Sequence, residues 1–145
     1  MTGGSWGGCL EVIQWVLTAG RFPADPGVLD GGVLLIETSE ELLPARNVGW
    51  IVRALGERGI LAAVDAVVVA RPAVSDFTRR PTSEERTRLR AEQRDVVAAT
   101  IGRYNPDAVI CVGPPFGHTR PQWILPHGGA ITVDGANRRV FADYS

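Results

Sequence analysis

The sequence predicts a mixed α/β domain with a small mixed sheet, flanking helices and a C-terminal β-hairpin. Three short, continuous runs of branched apolar residues are typical of buried strands: residues 32–37, 65–71 and 107–112. Segments with helical spacing precede or separate these runs, and such an alternation favours an α/β architecture. An Asp134-Gly135 turn between two apolar segments predicts the closing hairpin.

The first half of the chain contains two predicted helices. A glycine-rich entry with a tight turn at Gly7-Gly8 leads into apolar residues at helical spacing over residues 9–17. Gly20, Pro23, Pro26 and Gly27 predict a loop over residues 18–31. Pro44 then favours the start of a second helix, whose apolar stripe ends at Gly56 or Gly59.

The second half contains one long predicted helix and one unusual loop. Residues 82–85, Thr-Ser-Glu-Glu, resemble a capping box that opens a helix reaching about Tyr104. Residues 113–129 form a loop rich in Gly, Pro, His and aromatic residues. Residues 130–134 and 138–142 are the two predicted hairpin strands. We interpret the polar stretch at 75–94 as a solvated loop and helix face.

Length and composition predict a single globular domain over residues 1–145. The chain is 45% hydrophobic and 21% charged with a net charge of −1, which gives no electrostatic reason to expect nucleic acid or a membrane as partner. All 15 basic residues are arginine, which excludes mechanisms that need a lysine. No apolar run approaches a membrane span and no signal peptide is evident, so we expect a cytoplasmic protein.

Glu11 and His118 are the candidate catalytic residues. Glu11 lies in the first turn of a predicted helix, where the helix dipole favours an ionised carboxylate that could orient an imidazole. His118 lies on a loop beyond a buried strand, where α/β folds place ligands and catalysis. The alternatives are a Glu11 that only complements the dipole and a surface His118. His127 is interpreted as an incidental loop residue.

The cysteines and histidines match no metal-binding spacing, so we expect no metal. Cys9 and Cys111 show no C-x-x-C pattern and fit small buried residues of a reducing compartment. Cys9 is a poor nucleophile, because residues i and i+2 of a helix face different directions and a neighbouring Glu11 would raise the thiol pKa.

Four blocks of the sequence resemble the C-terminal domain of the LD-carboxypeptidase and microcin C immunity family of serine peptidases. GGCLEVIQWVL at 7–17 is similar to the family's Gly-Gly-x-Leu segment, and GGVLLIETSEE at 31–41 with the helix around Trp50 looks like its next strand, acidic turn and helix. VVVARP at 67–72 resembles a strand ending in a Gly-Arg-Pro-like turn. PFGHTRPQWILP at 115–126 is similar to the family's Asp-Phe-Gly-His-Thr block.

The resemblance implies a swivelling β/β/α-type domain and a Ser-His-Glu triad without a metal or cofactor. His118 is then the catalytic base and Glu11 the catalytic carboxylate. Trp6, Trp15 and Trp123 lie near the catalytic segments in sequence and are candidates for an aromatic wall around the substrate, with a place in the core as the alternative. Trp6, Arg71, Thr119 and Trp123 are the predicted substrate-binding residues. Family members hydrolyse an amide next to a free carboxylate, either in L,D-tetrapeptides of murein or in processed microcin C-like aminoacyl-nucleotides.

Two departures from the family pattern affect the functional prediction. None of the five serines lies in a Gly-x-Ser-Asp elbow, so the Ser-bearing N-terminal domain is expected to be absent and the chain alone inactive. Pro115 stands where the family usually has Asp, which alters the support of His118 or of substrate. The sequence does not distinguish peptidoglycan recycling from microcin immunity.

We therefore expect half of a serine carboxypeptidase active site, with a Ser-bearing domain and a peptide or peptidyl-nucleotide substrate as partners. The alternative is a non-catalytic ligand-binding or interaction module that retains the fold. In either case the surface around His118 and Trp123 is predicted to be apolar and covered by self-association, so we expect a homo-oligomer.

Overall fold

The computed structural model describes residues 1–21 and 25–144 and contains one six-stranded mixed sheet. The strands are β1 (Thr2–Cys9), β2 (Val33–Glu37), β3 (Ala66–Val69), β4 (Val109–Val112), β5 (Ala130–Asp134) and β6 (Arg139–Ala142). Their order across the sheet is β4-β3-β2-β1-β5-β6. Strands β1 to β4 pair in parallel, and β5 and β6 are antiparallel. The predicted mixed α/β fold with a C-terminal hairpin is confirmed.

Four α-helices accompany the sheet in the described part of the chain: α1 (Leu10–Thr18), α2 (Ala45–Glu57), α3 (Ile60–Ala63) and α4 (Ser83–Tyr104). Pro44 is the N-cap of α2, and the Thr82 hydroxyl accepts a hydrogen bond of 3.2 Å from the Glu85 backbone N–H at the start of α4. The sequence predicted both helix starts. It did not predict the single turn of α3.

The predicted loop over 18–31 contains a short 3₁₀ helix, Pro26–Leu29. Asp25 caps it, because its side chain accepts a 2.8 Å hydrogen bond from the Gly27 backbone N–H. Pro23, one of the residues on which that loop prediction rested, lies outside the described residues. Within residues 1–21 and 25–144, no helix is both long enough and apolar enough to cross a membrane.

The glycine-rich N-terminus is a strand and not the predicted entry turn. Gly7 and Gly8 lie inside β1 with φ of 138° and 140°, a backbone region that side chains rarely adopt. A Cβ on Gly7 would overlap the carbonyl oxygen of Leu35 in the neighbouring strand. Glycine is therefore needed where β1 lies against β2, and its low strand propensity hid the strand from the sequence analysis.

The sheet is buried on both faces, which keeps its strand ends in fixed positions. One face packs against the helices through a large apolar cluster that includes Leu34, Ile36 and Val67. The other face forms a smaller cluster with Val33, Leu35, Val68 and Phe116, and Phe116 comes from the loop that carries His118. β2 and β3 are buried on both faces and β4 is half-buried on both, and such strands read as continuous apolar runs, which is why all three were predictable.

Candidate active site

The candidate site lies at the sheet edge where the four parallel strands end. Cys9 ends β1 and Glu37 ends β2, and these two residues are direct partners in the strand register. Arg71 follows β3, and the loop after β4 leads to His118. Parallel strands with their carboxyl ends at one edge bring residues distant in sequence together, and α/β folds commonly bind ligands there.

His118 is held by the carboxylate of Glu37. The imidazole Nδ1 lies 2.8 Å from Glu37 Oε2 and 3.1 Å from Glu37 Oε1. Only 7% of the Glu37 side chain is exposed, against 43% of the His118 side chain. A buried carboxylate on Nδ1 fixes the tautomer and leaves Nε2 as the nitrogen available for proton transfer.

The backbone before His118 is shaped to receive the same carboxylate. The His118 backbone N–H donates a hydrogen bond of 3.1 Å to Glu37 Oε2. Gly117 has a φ of 71°, and a Cβ there would overlap the Glu37 carboxyl group. The glycine in the Phe-Gly-His sequence is therefore required both by backbone conformation and by the close approach of Glu37.

Surrounding carboxylates raise the pKa of His118 above its ordinary value. The hydrogen bond that His118 donates to Glu37 is the largest cause, and partial burial opposes it. The charges of Glu37, Glu40 and Glu11 add to the increase. Glu40 is itself a direct neighbour, since its Oε2 lies 3.3 Å from His118 Nε2 on a side chain that is 67% exposed. The imidazolium form is thus stabilised on both sides of the ring.

Glu11, the predicted orienting carboxylate, has other partners. It is 7% exposed, and its Oε1 accepts hydrogen bonds from the Ser39 backbone N–H at 3.0 Å and the Ser39 hydroxyl at 2.7 Å. The expected hydrogen bond between Glu11 and His118 is not formed in the described residues, because Glu37 occupies Nδ1 and Glu40 faces Nε2. Glu11 instead anchors Ser39 in the turn after β2, between Glu37 at the strand end and Glu40 in the turn.

Cys9 lies between the two buried glutamates. Its thiol donates a 3.2 Å hydrogen bond to Glu11 Oε2, and burial, followed by the Glu11 hydrogen bond and nearby carboxylate charges, raises the thiol pKa to about 11. The direction of this shift agrees with the sequence analysis. The expected divergence of Cys9 from Glu11 is not found, because Cys9 is the extended N-cap of α1 and not a helical residue.

Arg71 and Thr119 bind each other across the strand ends. Arg71 Nε donates to the Thr119 hydroxyl at 3.1 Å, and Arg71 Nη2 donates to the Arg120 carbonyl at 2.7 Å. Both residues were predicted to bind substrate. In the structure their hydrogen bonds connect the His118 loop to the segment that follows β3. Pro115 supports the same loop through its backbone, since its carbonyl accepts a 2.6 Å hydrogen bond from the Trp123 N–H.

The predicted aromatic residues occupy different environments. Trp6 is half-buried and packs against the helix-side core, whereas Trp123 is 49% exposed. Trp15 is exposed and, together with Trp50, lines a cleft of about 270 Å³ that also contains Glu11. Trp123 is thus the predicted aromatic residue that lies both on the His118 loop and at the surface.

Sequence reasoning missed Glu37 as the partner of His118. The signal was present: Glu37 is a carboxylate directly at the end of a buried strand, the same kind of position that identified His118. The sequence analysis assigned the role to Glu11, a carboxylate on a helix, instead. His127 is exposed and Cys111 lies within β4, and neither belongs to the cluster around His118.

Comparison with known families identifies the domain. The family model described as the LD-carboxypeptidase C-terminal domain matches residues 2–133. The chain belongs to this family. The family resemblance seen in the sequence is thereby confirmed, and the described Glu–His pair lies within the matched region. No curated protein sequence matches the chain.

Solved structures share the fold of this LD-carboxypeptidase C-terminal domain. An MccF-like protein from Streptococcus pneumoniae, solved with AMP, has a TM-score of 0.71 and 22% identity, covering 99% of this chain and 41% of that chain. A muramoyltetrapeptide carboxypeptidase from Oxalobacter formigenes has a TM-score of 0.71 and 23% identity, covering 100% and 47%. MccF in complex with glutamyl sulfamoyl guanosine has a TM-score of 0.73 and 17% identity, covering 100% and 38%.

The chain therefore spans less than half the length of these solved relatives. At such identities the likeness shows the shared fold. The solved structures include a muramoyltetrapeptide carboxypeptidase and MccF, which is named as a microcin C7 self immunity protein.

Proposed function

We propose that this domain supplies the acid–base half of a serine carboxypeptidase. The single observation that carries this proposal is the hydrogen bond of 2.8 Å between buried Glu37 and His118 Nδ1, in a domain of the LD-carboxypeptidase family. The reaction proposed is hydrolysis of an amide next to a free carboxylate. Its substrates are L,D-peptides of murein tetrapeptide type or processed microcin C-like aminoacyl-nucleotides.

In this proposal each nitrogen of the imidazole has its own role. With Nδ1–H donating to Glu37, the Nε2 lone pair is free to take the proton of an attacking serine hydroxyl. The resulting imidazolium is stabilised by Glu37, and His118 then gives the same proton to the leaving amine. Glu37 takes the orienting role that the sequence analysis assigned to Glu11.

Glu11 and Glu40 act on this pair in different ways, Glu11 through the turn after β2 and Glu40 by direct contact with Nε2. Glu11 is a positioning residue, because its bonds to Ser39 hold the turn that follows Glu37. Glu40 competes with an incoming serine for Nε2, from which it is 3.3 Å away. Its side chain is 67% exposed, so it can turn into solvent when the nucleophile arrives.

The nucleophile and the oxyanion donors come from a second, Ser-bearing domain in this proposal, and the present chain alone is inactive. Arg71, Thr119, Trp6 and Trp123 remain proposed substrate contacts. Two of the three guanidinium nitrogens of Arg71 already bind the His118 loop. In the described structure Nη1 is left to receive a substrate carboxylate, a pairing that arginine favours.

The test is to join the Ser-bearing N-terminal domain of a family relative to this chain. The fusion is expected to release the terminal residue of an L,D-tetrapeptide, or to cleave an acidic aminoacyl nucleotide that contains a hydrolysable amide. Comparing the two substrates also separates cell-wall recycling from immunity. His118→Ala should lower kcat by about 10³-fold or more, the scale on which serine triads depend on their base.

The matched control is His127→Ala, since His127 is the other histidine and is exposed away from the site. This variant should retain the activity of the fusion. A folded fusion that cleaves neither substrate, or one whose activity survives His118→Ala, would contradict the proposal and favour a non-catalytic module.

A further inference from the structure

Three different metal-ligating side chains converge at the candidate active site. One ligand atom each from Cys9, Glu37 and His118 lies within 4.8 Å of the other two. The residues come from the end of β1, the end of β2 and the loop after β4. Because the ligands are scattered along the chain, the usual short spacings of zinc motifs are absent, and the sequence predicted no metal.

The distances are close to those that a tetrahedral ion requires. Zinc bonds of the usual lengths to sulfur, nitrogen and oxygen place their ligand atoms about 3.4–3.6 Å apart. Glu37 and His118 are nearer than this, at 2.8 Å, and must separate slightly, while the sulfur needs to approach the other two atoms by at most about 1.2 Å. His118 is 43% exposed and Cys9 is half-buried, so both have room for such an adjustment around the buried Glu37.

A second carboxylate is placed to support a metal-bound imidazole. His118 Nδ1 faces Glu37, so Nδ1 is the nitrogen directed at the cluster. The opposite nitrogen, Nε2, lies 3.3 Å from Glu40. Histidine ligands commonly donate their second N–H to a carboxylate, which fixes the tautomer and strengthens the bond to the metal.

The local charge also favours a dication. Glu11, Glu37 and Glu40 surround the imidazole and the thiol. Across residues 1–21 and 25–144, the ion pairs of Glu37 and Glu40 are those with His118, and no arginine neutralises them. A sulfur, an imidazole nitrogen and one carboxylate match Zn²⁺, whereas Mg²⁺ and Ca²⁺ prefer oxygen alone.

We propose that Cys9, Glu37 and His118 form a Zn²⁺ site with an open fourth position. When the ion binds, the Cys9 thiol loses its proton to solvent and the Glu37–His118 hydrogen bond breaks. The thiolate, the Glu37 carboxylate and His118 Nδ1 each form a bond to the metal. The consequence for catalysis rests on the proposed function. When the metal occupies Nδ1, the ring proton lies on Nε2 and is held by Glu40. Nε2 then has no free lone pair to accept the serine proton, so zinc is an inhibitor of the assembled enzyme.

The binding test uses the chain by itself and needs no partner domain. After treatment with chelator and reductant, the chain is titrated with Co²⁺, whose thiolate charge-transfer band and tetrahedral d–d bands report the geometry, and then with Zn²⁺ by calorimetry. One ion per chain is expected. Cys9→Ala should abolish the charge-transfer band and weaken Zn²⁺ binding by about 100-fold, and Glu40→Gln should weaken it by about 10-fold.

The chain offers matched controls for both ligand types. Cys111→Ser and His127→Ala remove the other cysteine and the other histidine and should leave the cobalt spectrum unchanged, while circular dichroism verifies that each variant folds. The proposed site is overturned if a folded Cys9→Ala variant binds zinc as tightly as the unaltered chain. It is also overturned if the cobalt spectrum of the unaltered chain lacks the thiolate charge-transfer band. The two proposals can fail separately. A chain that binds no zinc does not affect the hydrolase test, because catalysis is measured only on the fusion. A fusion that is inactive without metal does not affect the zinc-binding test, because that test uses the chain by itself.

Discussion

Gly117 lies directly against the carboxyl group of Glu37, which leaves no space for a Cβ at position 117. The absent side chain allows the His118 N–H and Nδ1 to bind the same carboxylate. The relationship explains why a glycine precedes the histidine, and it gives a way to disturb the pair without altering either member.

Gly117→Ala should displace the His118 loop and weaken the Glu37–His118 hydrogen bond. The φ of 71° adds strain of about 1–2 kcal/mol for a residue with a side chain. In the fusion enzyme we expect kcat to fall by about 100-fold, because a shift of about 1 Å at a catalytic group has this effect. Gly128→Ala is the control, since Gly128 also has a positive φ of 81° but open space around it. Equal losses in both variants would contradict the steric explanation.

Glu37→Gln and Glu11→Gln should differ in their effect on His118. Glu37 bonds directly to Nδ1, so its replacement should lower the His118 pKa toward its ordinary value and reduce kcat of the fusion by about 10³–10⁴-fold. Glu11 acts through Ser39 and through its distant charge, so Glu11→Gln should have a much smaller effect on the pKa. Imidazole NMR titration of each variant measures both values. A larger pKa change from Glu11→Gln would restore Glu11 as the orienting carboxylate.

The contribution of His118 to stability should decrease as the pH rises. Its pKa is raised above the ordinary 6.5 by Glu37 first and then by Glu40 and Glu11, with the Cys9 thiol also in the cluster. A raised folded-state pKa means that the stabilisation is complete below about pH 6.5 and is lost as the pH rises through the folded pKa. Urea unfolding of the chain and of His118→Ala, with chelator present, should differ most at acidic pH. A difference that grows with pH would contradict the assignment.

Gly7→Ala should destabilise the domain far more than Gly8→Ala. Both residues have φ near 140°, so the backbone strain of about 1–3 kcal/mol is shared. A Cβ at Gly7 meets the Leu35 carbonyl, whereas a Cβ at Gly8 meets no atom within 4 Å. We expect the free energies of unfolding to differ by at least about 2 kcal/mol. Equal values would mean that β1 does not lie against β2 as described.

The surface beside His118 is expected to mediate self-association of the chain. Trp123 is 49% and Ile124 is 81% exposed on the same loop, and adjacent exposed apolar residues favour burial against another molecule. Light scattering should detect an oligomer whose population falls for Trp123→Ser with Ile124→Ser. Phe77→Ser, at a residue 95% exposed on a different loop, should have no such effect. A monomer at all concentrations would contradict this prediction.

The sequence predicted the scaffold better than the pairing of its functional groups. The strands β2 to β4 and the start of α4 followed from apolar runs and a capping residue, which are local signals. β1 was missed because Gly7 and Gly8 have low strand propensity, although their small size is what β2 requires.

The site was predictable only in part for a related reason. His118 was found from its position after a buried strand, but Glu37 was not considered as its partner, because that pairing depends on which strand ends are neighbours. Strand order is a non-local property, and no spacing in the sequence encodes it. The convergence of Cys9 with Glu37 likewise depends on the register of β1 against β2.

Glu37 and His118 are separated by 81 positions in the sequence. Glu37 ends β2 and His118 follows β4, and β3 lies between these two strands in the sheet. Their hydrogen bond can therefore form only after β2, β3 and β4 have aligned and the loop after β4 has closed. Contacts of such long sequence separation form late and slowly during folding, because loop closure precedes the energetic gain. The pKa of His118 is consequently a reporter of this one assembly step: an ordinary imidazole pKa marks a chain in which the ends of β2 and β4 have not yet been brought together across β3.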